Sequence, residues 1–427
     1  MGDSNMQRRL GTLLLLLLGV LGCGSHEGDA AGVAAGTGRS IATEDPVAAL
    51  EKLGARIRRN EQGEVVGVEA GSRMTDAGLA HLERLANLKW LNLYRVSGIS
   101  DAGLAHLAGR SGLRQLYLEG TPITDAGLVH LARLNHLQEL HLGDTRISDA
   151  GLLQLAELGD LRELTLDGTR VSDAGLVHLG RLRNLQSLFL YHTRVTAAGL
   201  AQLEDLQLKK LSVPQRAHTD LGLKHYLASL GAPAKLDLKE WATTDGGLAH
   251  LEGLASLRRL SLVGTQVTDA GLAHLQQLSG LEELYLPRQI TDAGLVHLRE
   301  LTSLRVLHVP REITDAGVAH LAGLTRLQEL RLASLISDAG LVHLAEMTDL
   351  RRLDLTGTKI TNSGLGRLQG LARLEMLQLD FTAVTAAISA QLQGLGHLTY
   401  LGLIGAPVTD ADAAELKKVL PYCEIKR

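Results

Sequence analysis

The chain has 427 residues, 45% of them hydrophobic and 21% charged, with a net charge of -4. A long apolar core is therefore feasible, and the near balance of charge argues against nucleic acid as a partner. Cysteine usage is silent on disulfides, since the chain holds only Cys23 and Cys423.

The first segment reads as an address. Arg8 and Arg9 precede an apolar run of eleven residues, Leu10 to Val20, which is short for a bilayer span and suits a secretory leader. Residues 1–22 are expected to be a signal peptide. Val20-Leu21-Gly22-Cys23 resembles a bacterial lipobox, which implies that Cys23 becomes a diacylated N-terminus in the membrane. Cleavage near Gly22 or Ser25 without lipid, or an uncleaved anchor, is the competing reading. Gly24 in place of Asp implies, by the same resemblance, no inner-membrane retention, so the expected location is the cell envelope, on the outer membrane or periplasmic side. N-myristoylation of Gly2 fails because Met6 stands where Ser or Thr is needed. Residues 23–45 come next as a flexible Gly/Ala-rich tether.

Residues 46–74 read as an N-terminal cap. Leu50 to Ile57 is expected as a short helix, and Glu64 to Val68 as an edge strand that lacks the leucines of the later strands.

From residue 75 to 412 one phrase, Thr/Ser-Asp-Ala-Gly-Leu, recurs every 23 to 25 residues, so that a single supersecondary unit is copied about fifteen times. In the copy from Leu113 to Leu134, Leu116 and Leu118 alternate with Gln115, Tyr117 and Glu119, the two-residue period of a short strand. Thr124 then stands where a helix N-cap belongs, and Asp125 places a negative charge in the first turn. Leu128, Leu131 and Leu134 form an apolar stripe that one copy cannot bury alone. Stacked copies share it, with parallel strands on one side and helices on the other, so the expected fold is an α/β solenoid forming one elongated domain.

The run L-x-x-L-x-L-x-x-T-x-I/V-T/S-D-A-G-L-x-x-L-x-x-L over residues 65 to 427 resembles leucine-rich repeats of the helix-bearing, ribonuclease-inhibitor-like kind in their short bacterial form. The resemblance implies a curved horseshoe with strands on the concave side, helices on the convex side, and recognition through the concave face. The usual corner Asn is replaced by Thr121, Thr145, Thr169, Thr193, Thr265 and Thr358, expected to form a stacked Thr ladder.

Ten histidines, His81, His106, His130, His178, His225, His250, His274, His297, His320 and His343, sit three residues after the repeat glycine. A metal-binding or enzymatic use of this ladder is the alternative function. Its geometry disfavours that use, because zinc needs three or four converging ligands and each histidine meets at most its two ladder neighbours. The aspartates of the phrase, replaced by Ala197, Asn362 and Ala386, are read as first-turn helix acids rather than calcium ligands. No catalytic constellation or cofactor motif stands out, and no metal or cofactor is expected.

Aromatic residues carry the binding expectation. By strand register Trp90, Tyr94, Tyr117, Phe189, Tyr191, Tyr285 and Tyr400 leave the leucine core for the concave side, while Trp241 and Phe381 lie just beyond strands. Glu119, Glu139, Asp144, Glu163 and Asp167 adjoin the first group, so a basic or amphipathic partner is expected; β-propensity alone is the blander account. Between Leu206 and Asp245 the corner pattern is lost, and the segment from Arg216 to Trp241 is expected to bend the stack or present a contact loop. Pro287-Arg288 and Pro310-Arg311 repeat a proline variant, with Arg288 and Arg311 stacked at the rim.

Residues 413–427 read as a C-terminal cap, a helix from Ala414 stopped at Pro421 and then a strand-like end. The expected protein is a monomeric, non-catalytic scaffold that binds a protein or peptide and is anchored to the membrane by lipid; a passive envelope spacer is the further alternative.

Overall fold

The computed structural model of the protein describes residues 44–332 and 334–427. Cys23, the leader and all but the last two residues of the tether lie outside them. Among the described residues no helix is long and apolar enough to cross a membrane.

Each copy contributes one short strand centred on a leucine. Leu91, Leu116, Leu140, Leu164, Leu188 and Leu211 pair in register across parallel neighbours, and their side chains are buried. The residues on either side of each leucine project to the opposite face, where Gln115 and Tyr117 are half-buried. The sheet thus has an apolar side sealed by helices and a mixed side open to solvent.

The helical half is tighter than the expected single helix. Asp101–Leu104 is one α-turn, and Ala105–Leu107 continues as a 3₁₀ turn. The leucine spacing explains this: Leu200, Leu203 and Leu206 recur every third residue and are all buried in the 3₁₀ segment Gly199–Leu206. A three-residue period matches 3₁₀ geometry, whose larger rise per residue also returns the chain to the next strand in fewer residues.

The repeated Asp-Ala-Gly ties one copy to the next. In eleven copies the Asp carboxylate takes the amide N–H of the next copy's capping Thr or Ser at 2.6–2.9 Å. Its other oxygen takes that residue's hydroxyl at 2.5–2.6 Å. The aspartates are therefore inter-copy clamps, and their first-turn position is only part of their role. The glycine makes room for them: a Cβ at Gly103 would come within 2.1 Å of Asp76 Oδ1, and one at Gly127 within 2.6 Å of Asp101 Oδ1. Asn362 reproduces the clamp on Thr385 through its amide.

The corner threonines bond neighbouring backbone, as expected, and do so within their own copies. Each buried hydroxyl donates to the carbonyl three residues earlier in its own copy, as Thr121 does to Leu118 at 2.5 Å and Thr265 to Leu262 at 2.8 Å. Just before the corner residue the backbone turns through the left-handed region, at Gly120, Gly168 and Gly264 but also at Arg95, Asp144, His192 and Glu240, where Val96 and Trp241 take the corner after Arg95 and Glu240.

The strands fall into two sheets, eight from Arg56–Arg59 to Lys210–Ser212 and nine from Lys235–Asp237 to Glu424–Lys426. The seam coincides with a length error in the repeat. Leu188 to Leu211 is one residue short and Leu211 to Leu236 one residue long against the 24 residues from Leu236 to Leu260. The helix Asp220–Ser229 runs unbroken for ten residues, and the next strand, Lys235–Asp237, is not hydrogen-bonded to Lys210–Ser212. The Asp220 clamp on Thr244, a bridge at Leu208–Leu230 and a bond from Ala242 N–H to the His218 carbonyl still span the gap.

The ends differ from expectation in one place. The N-terminal helix is Pro46–Lys52, capped by Asp45, and Ile57 lies instead in the strand Arg56–Arg59, paired antiparallel to Val65–Glu69. This arginine-rich strand is the edge of its sheet, a charged edge that resists pairing with other chains. At the other end the helix Asp410–Val419 carries a capping box between Thr409 and Asp412. Glu424–Lys426 then closes the second sheet against Tyr400–Gly402.

Candidate functional site

The solvent side of the first sheet carries a continuous row of rings. Trp90 is paired with Gly67 in register, and the missing side chain lets the indole lie across the backbone, where a Cβ would meet it at 3.0 Å. The guanidinium of Arg58, on the antiparallel edge strand, covers the ring at 3.6 Å. Tyr117, one strand on, lies 6.1 Å from Trp90, and His141 stacks on Tyr117 at 4.5 Å. The row exists because the strand residues flanking the central leucine project outward from copies in strict register.

Carboxylates surround this row. The Tyr117 hydroxyl donates to Glu139 at 3.0 Å, and His141 lies 3.5 Å from Glu119 and 3.7 Å from Glu163. Asp167 accepts the amide N–H of Tyr191 at 2.6 Å. Burial, and then the bond to Glu139, pushes the Tyr117 phenol up to about 12. Burial also raises the Asp167 carboxyl, and Glu119 adds to the shift by repulsion. No Lys or Arg among the described residues pairs with Glu119, Glu139, Glu163 or Asp167, so the patch presents unneutralised negative charge beside aromatic surface.

The remaining expected residues are distributed more widely. Tyr94 and Tyr191 stand out at the strand ends, 49% and 50% exposed; Arg95 lies over Tyr94, and Tyr191 is 6.3 Å from the His192 ring. Phe189 is half-buried between Thr165 and Ser212 in register. Tyr285 belongs to the second sheet, with Arg259 over its ring at 5.1 Å and His308 edge-on at 4.9 Å. It forms a separate group beside a shallow hollow of about 140 Å³ where Glu329 pairs with His308 and Arg352. Tyr400 is half-buried on the same sheet. Arg288 and Arg311 are exposed, after the buried Pro287 and Pro310. Ladder bonds at these prolines stretch to 3.5 and 3.3 Å.

Trp241 corrects the expectation for the irregular segment. It is 5% exposed and occupies the corner place that Thr265 fills one copy later. His218 stacks on it at 4.3 Å and Tyr226 meets it edge-on at 5.4 Å. The ring plugs the core where the repeat lengths slip, so it is not a contact residue. Phe381, by contrast, is 65% exposed with φ 57°.

The histidine ladder bonds between copies. His106, His225 and His274 meet Glu83, Glu204 and Glu252 of the preceding copy at 2.5 Å, while His297 meets Gln276 and His320 meets Arg299. The partners are mixed, and among the described residues no group of three or more His, Cys, Asp or Glu is placed to hold a metal ion. Sequence reasoning missed His141; its signal was the third strand position, which it shares with Tyr117.

Comparison with known proteins agrees with this architecture. Residues 133–156 and 346–368 match the leucine-rich repeat family profile. A leucine-rich repeat protein of Leptospira interrogans superposes with a TM-score of 0.52 at 21% identity, over 75% of this chain and 92% of that one. An internalin of Listeria monocytogenes aligns over 90% of this chain and 93% of its own at 23% identity, with a TM-score of 0.45. The Arabidopsis receptor kinase HAESA, solved with a peptide hormone, aligns over 88% and 73% at 17% identity and a TM-score of 0.45. No curated protein matches the sequence. The fold is a leucine-rich repeat solenoid, and likeness at these identities speaks to the fold alone.

Proposed function

We propose that the chain is a non-catalytic scaffold that binds a protein or peptide on the open face of its strand layer, and that lipid on Cys23 holds it in a bacterial envelope. The observation that carries the binding reading is the row Trp90, Tyr117 and His141 beside Glu119, Glu139, Glu163 and Asp167. Large rings held outside the core, next to carboxylates that pair with no Lys or Arg among the described residues, suit a basic or amphipathic polypeptide. Rigid strands fix these side chains in advance, which lowers the entropy lost on binding.

Support for the envelope reading lies in the sequence: the Arg8-Arg9 start, the apolar run to Val20 and Cys23 at its end. Export through that leader would free the 23–45 tether to carry the repeats away from the membrane. Affinity capture from envelope fractions tests the binding claim. Full-length protein should retain a partner that the Tyr94→Ala, Tyr117→Ala double variant loses; identical capture by both proteins would leave a passive spacer. Labelled fatty acid should enter the wild-type chain and not a Cys23→Ala variant.

A further inference from the structure

The seam between the two sheets carries charge of the opposite sign. Residues 207–241 hold six Lys or Arg against three acids, in a chain that is negative as a whole. Two of the three acids are engaged by their own chain. Asp220 clamps Thr244, and Asp237 accepts the Lys239 amide at 3.0 Å. The Glu240 carboxylate folds over Gly264, where a Cβ would come within 2.8 Å of it. The cations Lys209, Lys210, Arg216, Lys235 and Lys239 are all exposed, and none of these five forms an ion pair among the described residues.

Two of them open onto a cavity. The short 3₁₀ turn Gln215–Ala217 replaces the usual corner, and the slip in repeat length leaves a hollow of about 670 Å³ lined by Tyr191, His192, Pro214, Arg216, His218 and Lys239. Its floor is built rather than accidental, since His218 is held parallel to the buried Trp241 at 4.3 Å. His192 and Glu240, which also lines it, hold left-handed backbone with φ 57° and 62° where neighbouring copies place glycine.

We propose that this hollow binds acidic side chains of a polypeptide partner. Carboxylates of an Asp- or Glu-rich segment pair with Arg216 and Lys239, the segment rests on Tyr191 and Pro214, and Lys209, Lys210 and Lys235 draw it in. This extends the reading of the strand face as a binding surface to a second set of residues, of opposite charge to the Tyr117 row, and the two fail separately.

The test is fluorescence anisotropy of the full chain with a labelled peptide of alternating Glu and Gly, against its Gln counterpart. The Glu peptide should bind about tenfold more tightly than the Gln peptide and weaken by about tenfold in an Arg216→Ala, Lys239→Ala double variant. It should bind Tyr94→Ala, Tyr117→Ala protein as it binds wild type. Unchanged circular dichroism of both variants ties any loss to the side chains removed. Equal binding of the two peptides, or indifference to the loss of Arg216 and Lys239, would overturn the proposal. So would displacement by inorganic phosphate as effective as by unlabelled peptide, which would mark a general anion site.

Discussion

The carboxylate of Asp125 bonds twice to Ser148, the helix-capping residue of the following copy, taking its amide at 2.7 Å and its hydroxyl at 2.5 Å. One side chain therefore closes a helix terminus that is not its own. Changing Asp125 to Ala should destabilise the array by about 1.5–3 kcal/mol, the usual loss for hydrogen bonds to a charged group, while Asn should recover part of it, as Asn362 does naturally. Urea denaturation of the two variants measures the difference.

The clamp sets the sign of glycine substitutions. Gly151→Ala would bring a Cβ within 2.4 Å of Asp125 Oδ1, and should cost stability even though alanine is favoured over glycine in helices by about 1 kcal/mol. Gly366 has helical angles and nothing within 4 Å of its Cβ position, so Gly366→Ala should be neutral or stabilising. The thermal midpoint should fall for Gly151→Ala and hold or rise for Gly366→Ala.

Two phenols should titrate late. Tyr117 and Tyr226 are both pushed up to about 12, chiefly by burial, so the fold keeps their protons where an unfolded chain begins to release them. Their contribution is intact below pH 10 and falls as pH rises from 10 towards 12. Absorbance titration should show both as delayed phenolates, together with Tyr285, whose phenol burial also raises. Glu139→Gln should shift only the Tyr117 transition downward, without returning it to the ordinary value, because burial remains.

The two tryptophans should report different places. Trp241 is buried against His218 and Tyr226, whereas Trp90 is half-buried under Arg58. Emission from a Trp90→Phe variant should be blue-shifted and resistant to iodide quenching. Replacing Trp241 by Ala should cost about 3–5 kcal/mol through the cavity it leaves, with amide exchange accelerating first around the seam.

Cys423 should be inert in the folded chain. Its thiol is buried and pushed up to about 11 by that burial, so the reactive thiolate is scarce at neutral pH. Alkylation should wait for denaturant.

Much of the fold was legible because the repeat states its own register. The strand leucines, the outward Tyr117 and the parallel order come from a period that any two copies reveal. The clamp was not legible, because it joins Asp125 to Ser148 across a copy boundary, and helix capping within one copy already accounted for an acid in that place. The burial of Trp241 was hidden for a related reason. Its sequence neighbours are Lys239 and Glu240, which suggest a loop, yet alignment on Thr265 puts it at a corner that is buried in other copies. The helix expected through Ile57 failed because local propensity yielded to pairing with Val68.

At the seam apolar packing continues through Leu206, Leu208, Leu223 and Leu236, but the polar ties thin out. One junction earlier Ala197 offers no carboxylate to Thr219, whose amide bonds instead to Ala217, though the strands there still pair; at the seam itself Asp220 clamps Thr244, but the strands Lys210–Ser212 and Lys235–Asp237 do not pair. In a stack whose strength is the sum of its junctions, a joint that has lost its strand pairing, beside one that has lost its clamp, is where the first crack runs. Under load or denaturant the array should part there into two cooperative blocks, one ending near Ser212 and the other beginning near Lys235, each still internally clamped.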